Sequence, residues 1–153
     1  MKKKNLTLLP PEELFSSMHQ FLQDGYDVEF TVTGNSMWPF LRHKADRVTL
    51  CREENHRFKK GDIVLLQSEH GYYLHRITHI KNDLLQTAGD GNCYYDGYVH
   101  SQCVLGKVIR FTRKERCVSC NNPLYKLSSY FWRVLFPIRP SLLKFLSLFR
   151  RRA

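Results

Sequence analysis

The chain has 153 residues, 42% of them apolar and 25% charged, which suits one domain with a real core. No run approaches the roughly 18 consecutive apolar residues of a membrane span, and Met1-Lys-Lys-Lys4 is followed by Pro10-Pro11-Glu12-Glu13 rather than an apolar stretch. The start therefore reads as cytoplasmic and not as a signal peptide. The net charge of +10 is uneven: residues 1–106 total −1 and residues 107–153 total +11, so the basicity needs its explanation in the C-terminal third.

Residues 11–24 predict a helix. Pro11 suits a first turn, Glu12 and Glu13 sit near the positive end of the dipole, and Leu14, Met18, Phe21 and Leu22 share a face ahead of Gly25. The period then changes to two, with Val28, Phe30 and Val32 on one side of a strand over 28–33. Further strands are expected at 47–51, 62–67, 72–80, 84–88 and 103–111, separated by turns rich in Gly, Asp and Asn. The result is a mainly β, antiparallel domain over 26–116, preceded by the helical segment 1–25. Residues 117–153 change character. Leu124, Leu127, Phe131, Val134 and Leu135 have helical spacing, Pro137 and Pro140 interrupt, and Leu142, Phe145, Leu146 and Phe149 resume it. This predicts a basic, amphipathic helical tail. Whether it packs on the domain or on a membrane is left open by the pattern.

The five cysteines, Cys51, Cys93, Cys103, Cys117 and Cys120, read as reduced thiols in a chain without a secretion signal. Cys117-Val-Ser-Cys120 has knuckle spacing but no second pair. Neither a metal nor a cofactor is expected.

The chemistry centres on Thr31-Val-Thr-Gly-Asn-Ser-Met-Trp-Pro-Phe-Leu41. Ser36 lies where a strand is about to break, and Pro39 restricts both itself and Trp38, so a rigid turn should follow. A serine attacks only if a base takes its proton and donors receive the oxyanion. Of seven histidines, His75 sits inside the strand over 72–80 with apolar neighbours, where alternation puts Tyr73, His75, Ile77 and His79 on one face. A histidine there is most often a satisfied structural residue, and it is also the kind of half-buried imidazole that can act as a general base. Asp90 and Asp96 are the available orienting carboxylates. Asp90 lies in a Gly-Asp-Gly-Asn turn signature and Asp96 is the freer of the two.

Five boxes in order carry a resemblance over about residues 28–111: Ser36-Met-Trp-Pro-Phe-Leu41, Asp46-Arg-Val48 with Lys60-Gly-Asp-Ile-Val64, Leu74-His-Arg-Ile77, Gly89-Asp-Gly-Asn92 through Asp96, and Val104-Leu-Gly-Lys-Val108. Together they resemble the type I signal peptidases and the self-cleaving SOS and phage repressors. The resemblance implies the compact β fold of those peptidases and a serine endopeptidase. The base position holds His75 where most bacterial members have lysine, which is similar to the Ser-His-Asp branch. By that match Ser36 is the nucleophile, His75 the base and Asp96 the acid. Gly34 stands where many signal peptidases carry an oxyanion-binding serine, so the backbone N–H groups of Ser36 and Asn35 are expected to form the oxyanion hole. The chain shows no N-terminal membrane anchor, and 25 residues before the first strand leave no room for the repressors' helix-turn-helix.

The expected partner is a peptide or protein precursor, bound extended beside strand 28–33. The alternative is a catalytically inactive β domain that binds peptides or a membrane surface. Arginines alternate with aromatics in Tyr130-Phe-Trp-Arg-Val-Leu-Phe-Pro-Ile-Arg-Pro140, which raises nucleic acid as a partner. Leucine does not stack on bases, so an anionic membrane surface suits the tail better, with the protein cytoplasmic or peripheral at the cytoplasmic face.

Overall fold

The structure is a computed structural model that describes residues 11–54, 57–69 and 71–150. The lysines at 2–4, His56, His70 and the closing residues 151–153 lie outside the described residues. An N-terminal helix α1 (Pro11–Gln23) leads into eight strands: β1 (Val28–Thr31), β2 (Asp46–Cys51), β3 (Ile63–Ser68), β4 (Gly71–Lys81), β5 (Leu84–Ala88), β6 (Tyr98–His100), β7 (Val104–Arg113) and β8 (Arg116–Ser119). Helices α2 (Pro123–Val134) and α3 (Arg139–Arg150) follow, joined by a 3-10 turn at Phe136–Ile138. Among the described residues no helix is long and apolar enough to cross a membrane.

The strands form one antiparallel sheet in the order β1-β2-β7-β3-β4-β5-β6, with β8 also on β7. β7 is long enough to serve both halves. Residues 104–107 pair with β3 and residues 110–113 with β8 along one edge, while β2 covers 107–113 along the other. The apolar run Ile63-Val-Leu-Leu66 follows from burial on both faces. Ile63 and Leu65 join the main core with Met18 and Leu22 of α1, Val48, Leu50, Val108 and Phe111. Val64 and Leu66 join a second cluster with Ile77 and Leu85. α1 ends as its sequence suggests, with the Gly25 N–H donating to Leu22 and the Tyr26 N–H to Phe21.

Four features depart from the sequence expectation. The first strand stops at Thr31, although Val32 still exchanges backbone hydrogen bonds with Asp46 and Lys44. β8 extends the sheet to Ser119. The β4–β5 register shifts between Ile77 and His79, so His79 leaves the face of His75 and Ile77 and its ring meets Tyr95. The tail also uses a different face from the Leu/Phe stripe. In α2, capped by the Asn122 side chain, the buried residues are Tyr125, Ser129 and Trp132, whereas Leu124, Leu127, Phe131 and Val134 are exposed.

The buried face of α2 closes over a charged pair. Arg76 and Asp90 are each 1% exposed, and the guanidinium donates to both carboxylate oxygens at 2.8 and 2.6 Å. Its other nitrogen, Nη1, donates to the Gly61 carbonyl, the Ser129 hydroxyl and the Tyr125 hydroxyl. Burial alone would lower the Arg76 pKa, but Asp90 outweighs it and holds the group charged. Trp132 Nε1 donates to the Asp90 carbonyl at 3.0 Å, and Arg139 donates to the carbonyls of Gly89, Asn92 and Trp132. Removing one member of such a pair strands the other charge, at a cost of about 3–5 kcal/mol. Asp90→Ala should therefore lower the melting temperature by about 10 °C, using roughly 2–4 °C per kcal/mol at this size. A thermal melt checks this, and an unchanged midpoint would show that the pair is not a structural keystone.

Candidate active site

His75 and Asp96 meet as neighbours across three elements. His75 lies in the middle of β4, 10% exposed at its side chain, and Asp96, 17% exposed, lies in the loop between β5 and β6. The ring Nδ1 is 2.6 Å from Asp96 Oδ2. An ionised carboxylate only accepts, so Nδ1 carries the proton and Nε2 is left with a free lone pair. Asp96 is itself held by Thr87 of β5. The Thr87 hydroxyl donates to Oδ2 at 2.6 Å, and the Asp96 N–H donates to the Thr87 carbonyl at 2.8 Å. Tyr73 lies edge-on to the imidazole, with centroids 4.9 Å apart. The ring is thus fixed in tautomer and direction, as a general base requires.

Ser36 reaches this region by a different route. It sits in the turn at 36–40 and is half-buried, with the Trp38–Pro39 peptide bond cis. Its carbonyl accepts from the Gly91 N–H at 2.7 Å. Space explains the glycines of that loop: a Cβ on Gly89 would lie 2.5 Å from the Ser36 carbonyl oxygen, and one on Gly91 would lie 2.8 Å from that of Asn35. Any larger residue would push the serine segment away. Ala88, just before Gly89, pairs with Arg76, the residue next to His75. The serine turn is therefore docked on the loop that leads from β5, the neighbour of the base strand, to the acid. Among the described residues no hydrogen bond joins the Ser36 hydroxyl to His75.

The backbone at the expected oxyanion hole is shaped by Gly34, whose φ of +85° is a conformation that L side chains rarely adopt. The Gly34 N–H donates to His43 Nδ1 at 2.8 Å, which assigns His43 to the loop and not to proton transfer. The N–H groups of Asn35 and Ser36 make no backbone hydrogen bond among the described residues. Lys44 is exposed in the turn before β2 and donates its N–H to Val32. Asp90, the other candidate acid, is committed to Arg76. β1 is the terminal strand of the sheet order, so one of its edges carries no neighbouring strand among the described residues.

Sequence reasoning missed Thr87, Arg76 and the tail residues that hold the Gly89–Asn92 loop. Arg76 gave the best available signal: a charge alternating with His75 inside an apolar strand demands a buried partner. A cavity of about 820 Å³ lies elsewhere, beside His19, Cys51, Glu53 and Gly106. Among the described residues lining it, burial raises the Cys51 pKa and His19 is bonded to Gln23, so neither offers a nucleophile–base pair.

No group of three or more His, Cys, Asp or Glu is placed to hold a metal among the described residues. Cys117 is exposed on β8, and Cys120 packs against the core. No protein-family model matches this chain, and no curated protein is significantly similar to it.

Burial pushes the Cys120 thiol from its ordinary 9.0 up to about 11 and the Tyr125 phenol from 10.0 up to about 12. Both groups ionise more readily in the unfolded chain. Their contribution is intact below about pH 9 and is lost as the pH rises through 9–12. Melting temperatures should fall across the alkaline range, with the lower part of that fall flattened in Cys120→Ala. A profile identical in both proteins would remove Cys120 from the linkage.

Proposed function

We propose that the protein is a serine endopeptidase with the signal-peptidase-like β fold, cleaving a peptide or protein precursor by a Ser36–His75–Asp96 mechanism. The observation that carries this reading is the 2.6 Å contact of His75 Nδ1 with an Asp96 carboxylate that Thr87 holds in place. A structural histidine does not need a carboxylate that is itself anchored twice. The second support is the docking of the Ser36 turn against Gly89 and Gly91.

In this mechanism the Ser36 hydroxyl attacks the scissile carbonyl carbon while His75 Nε2 takes its proton. The developing oxyanion is received by the N–H of Ser36, with that of Asn35. Asp96 stabilises the imidazolium, which returns the proton to the departing amine as the C–N bond breaks. Water then gives a proton to Nε2, attacks the acyl-enzyme and releases Ser36. The unpaired edge of β1 offers backbone groups to an extended substrate. Substrate seated there would complete the alignment of Ser36 with His75, since catalytic hydrogen bonds often tighten only in the complex. The setting we propose is cytoplasmic or at the cytoplasmic membrane face.

A second reading draws on the absent Ser36–His75 hydrogen bond: a β domain that binds extended peptides along β1 with an idle triad. A serine-directed fluorophosphonate separates the two. It should label the native protein and leave Ser36→Ala unlabelled, while His75→Ala and Asp96→Asn should label roughly 10²–10⁴-fold more slowly. Equal labelling of Ser36→Ala would sink the peptidase assignment, and folded but unlabelled native protein would favour the binding domain.

A further inference from the structure

α2 has two apolar sides. Tyr125, Ser129 and Trp132 fill one and are buried. Leu124, Leu127, Phe131 and Val134 recur at helical spacing on the other and are each more than half exposed. Ile138, and Phe145 and Leu148 of α3, are apolar and exposed as well. α3 packs chiefly on the 3-10 turn before it. A stripe this long exceeds the scattered single residues expected on a monomer's surface.

One flank of the stripe opens into a cavity of about 240 Å³ between α2, β4 and the Asp96 loop. Lys60, His79 and Arg133 line it with Tyr95, Tyr130 and Val134, and among the described residues no carboxylate does. Tyr95, stacked on Phe136 with centroids 3.9 Å apart, forms a wall. Arg133 Nε is buried and has no hydrogen-bond partner among the described residues. Neither Arg133 nor Lys60 has an ion pair among the described residues. Of the charges near Arg133, Asp90 is already bound at both oxygens by Arg76. Residues 116–153 carry eight Lys or Arg and no Asp or Glu, so positive charge borders the stripe without internal compensation.

We propose that the outer face of α2 and the cavity on its flank seat an anionic phospholipid surface, with a headgroup phosphate at Lys60, His79 and Arg133 and the acyl boundary against Leu127, Phe131 and Val134. Charge selects this occupant. An apolar protein partner would fill the stripe but leave three cationic or titratable side chains facing an empty cavity. A nucleic acid would satisfy the charge but leave Leu124, Leu127 and Val134 against phosphate and sugar. A lipid leaflet satisfies both, because its charge and its hydrocarbon are adjacent at the spacing of a helix lying in the interface. The proposal is independent of the catalytic reading, since none of these residues belongs to the triad.

The test is co-sedimentation of the full chain with neutral phosphatidylcholine vesicles and with vesicles containing phosphatidylglycerol. The native protein should bind the anionic vesicles at least tenfold more tightly, with affinity falling as salt rises. Lys60→Gln with Arg133→Gln should weaken binding about thirtyfold, the loss expected for two basic residues near an anionic surface. Leu127→Ser with Phe131→Ser, both outside the packed face, should weaken binding while the melting temperature stays unchanged. This second pair decides the matter if the cavity variants unfold. Equal binding to both vesicle types, or native-like binding by the stripe variant, would overturn the proposal. Inorganic phosphate should displace the protein no better than sodium chloride of equal ionic strength. Specific displacement would assign the cavity to free phosphate instead. Displacement by soluble polyglutamate at matched ionic strength would assign it to an acidic peptide.

Discussion

The buried Arg76–Asp90 pair is the constraint on which the arrangement depends. Two opposite charges 1% exposed are tolerable only if nearly every donor and acceptor is matched. Here the matching draws in distant chain. The pair recruits the Gly61 carbonyl before β3, Tyr125 and Ser129 from α2, and Trp132 through the Asp90 backbone. Phe40, in the turn after Ser36, lies under the guanidinium with its ring centroid 4.9 Å from Cζ. Water cannot reach the pair without displacing these groups, and the groups lose their partner if the pair is broken. A β4 side chain thereby fixes both the C-terminal helix and the serine turn.

The same strand carries the candidate base one residue away. Alternation sends Arg76 toward α2 and His75 to the opposite face, where Asp96 waits. Asp90 and Asp96 divide in the same manner. One carboxylate neutralises a structural cation and the other orients an imidazole, and the loop between them is held at Gly89 and Asn92 by Arg139. The two roles need opposite environments. The structural pair is sealed, while the His75–Asp96 contact keeps 10% and 17% exposure at its side chains, enough to meet a substrate.

Much of this was legible in the chain. Short apolar runs bounded by turns rich in Gly, Asp and Asn placed β2 to β5 and β7 to within two residues, because the strands are largely buried and most of the turns between them are not. β8 was hidden by its turn. A two-residue hairpin prefers positive φ at both central positions, which ordinarily advertises itself as Asn-Gly. Here Lys114 and Glu115 adopt φ of 44° and 65°, so the cue was missing. His79 was placed on the wrong face because a bulge inserts one unpaired residue and reverses the alternation, and composition does not mark it. The helical spacing of Leu124, Leu127 and Phe131 was correctly read, but spacing cannot say which of two apolar sides meets the core. Tyr125, Ser129 and Trp132 win that place through their polar atoms, and only the buried Arg76–Asp90 pair makes those atoms worth burying. For the candidate site, the residues alone left Asp90 and Asp96 both open, and only the resemblance singled out Ser36, His75 and Asp96. Thr87 could not be named either way, since its role exists only once β5 lies beside the Asp96 loop.

The tail and the candidate site are mechanically one unit, and the reason is geometric. Arg139 opens α3 yet is itself 1% exposed, because its guanidinium donates into the loop that runs from Gly89 to Asn92. The Ser36 carbonyl is bonded to Gly91 in the middle of that same loop. Two sets of hydrogen bonds therefore link the start of α3 to the turn that presents the serine. Packing at Gly89 leaves little room to absorb a displacement, since a single added carbon there would already overlap the serine backbone. The start of α3 is thus tied, through Arg139, to the loop that holds the Ser36 carbonyl.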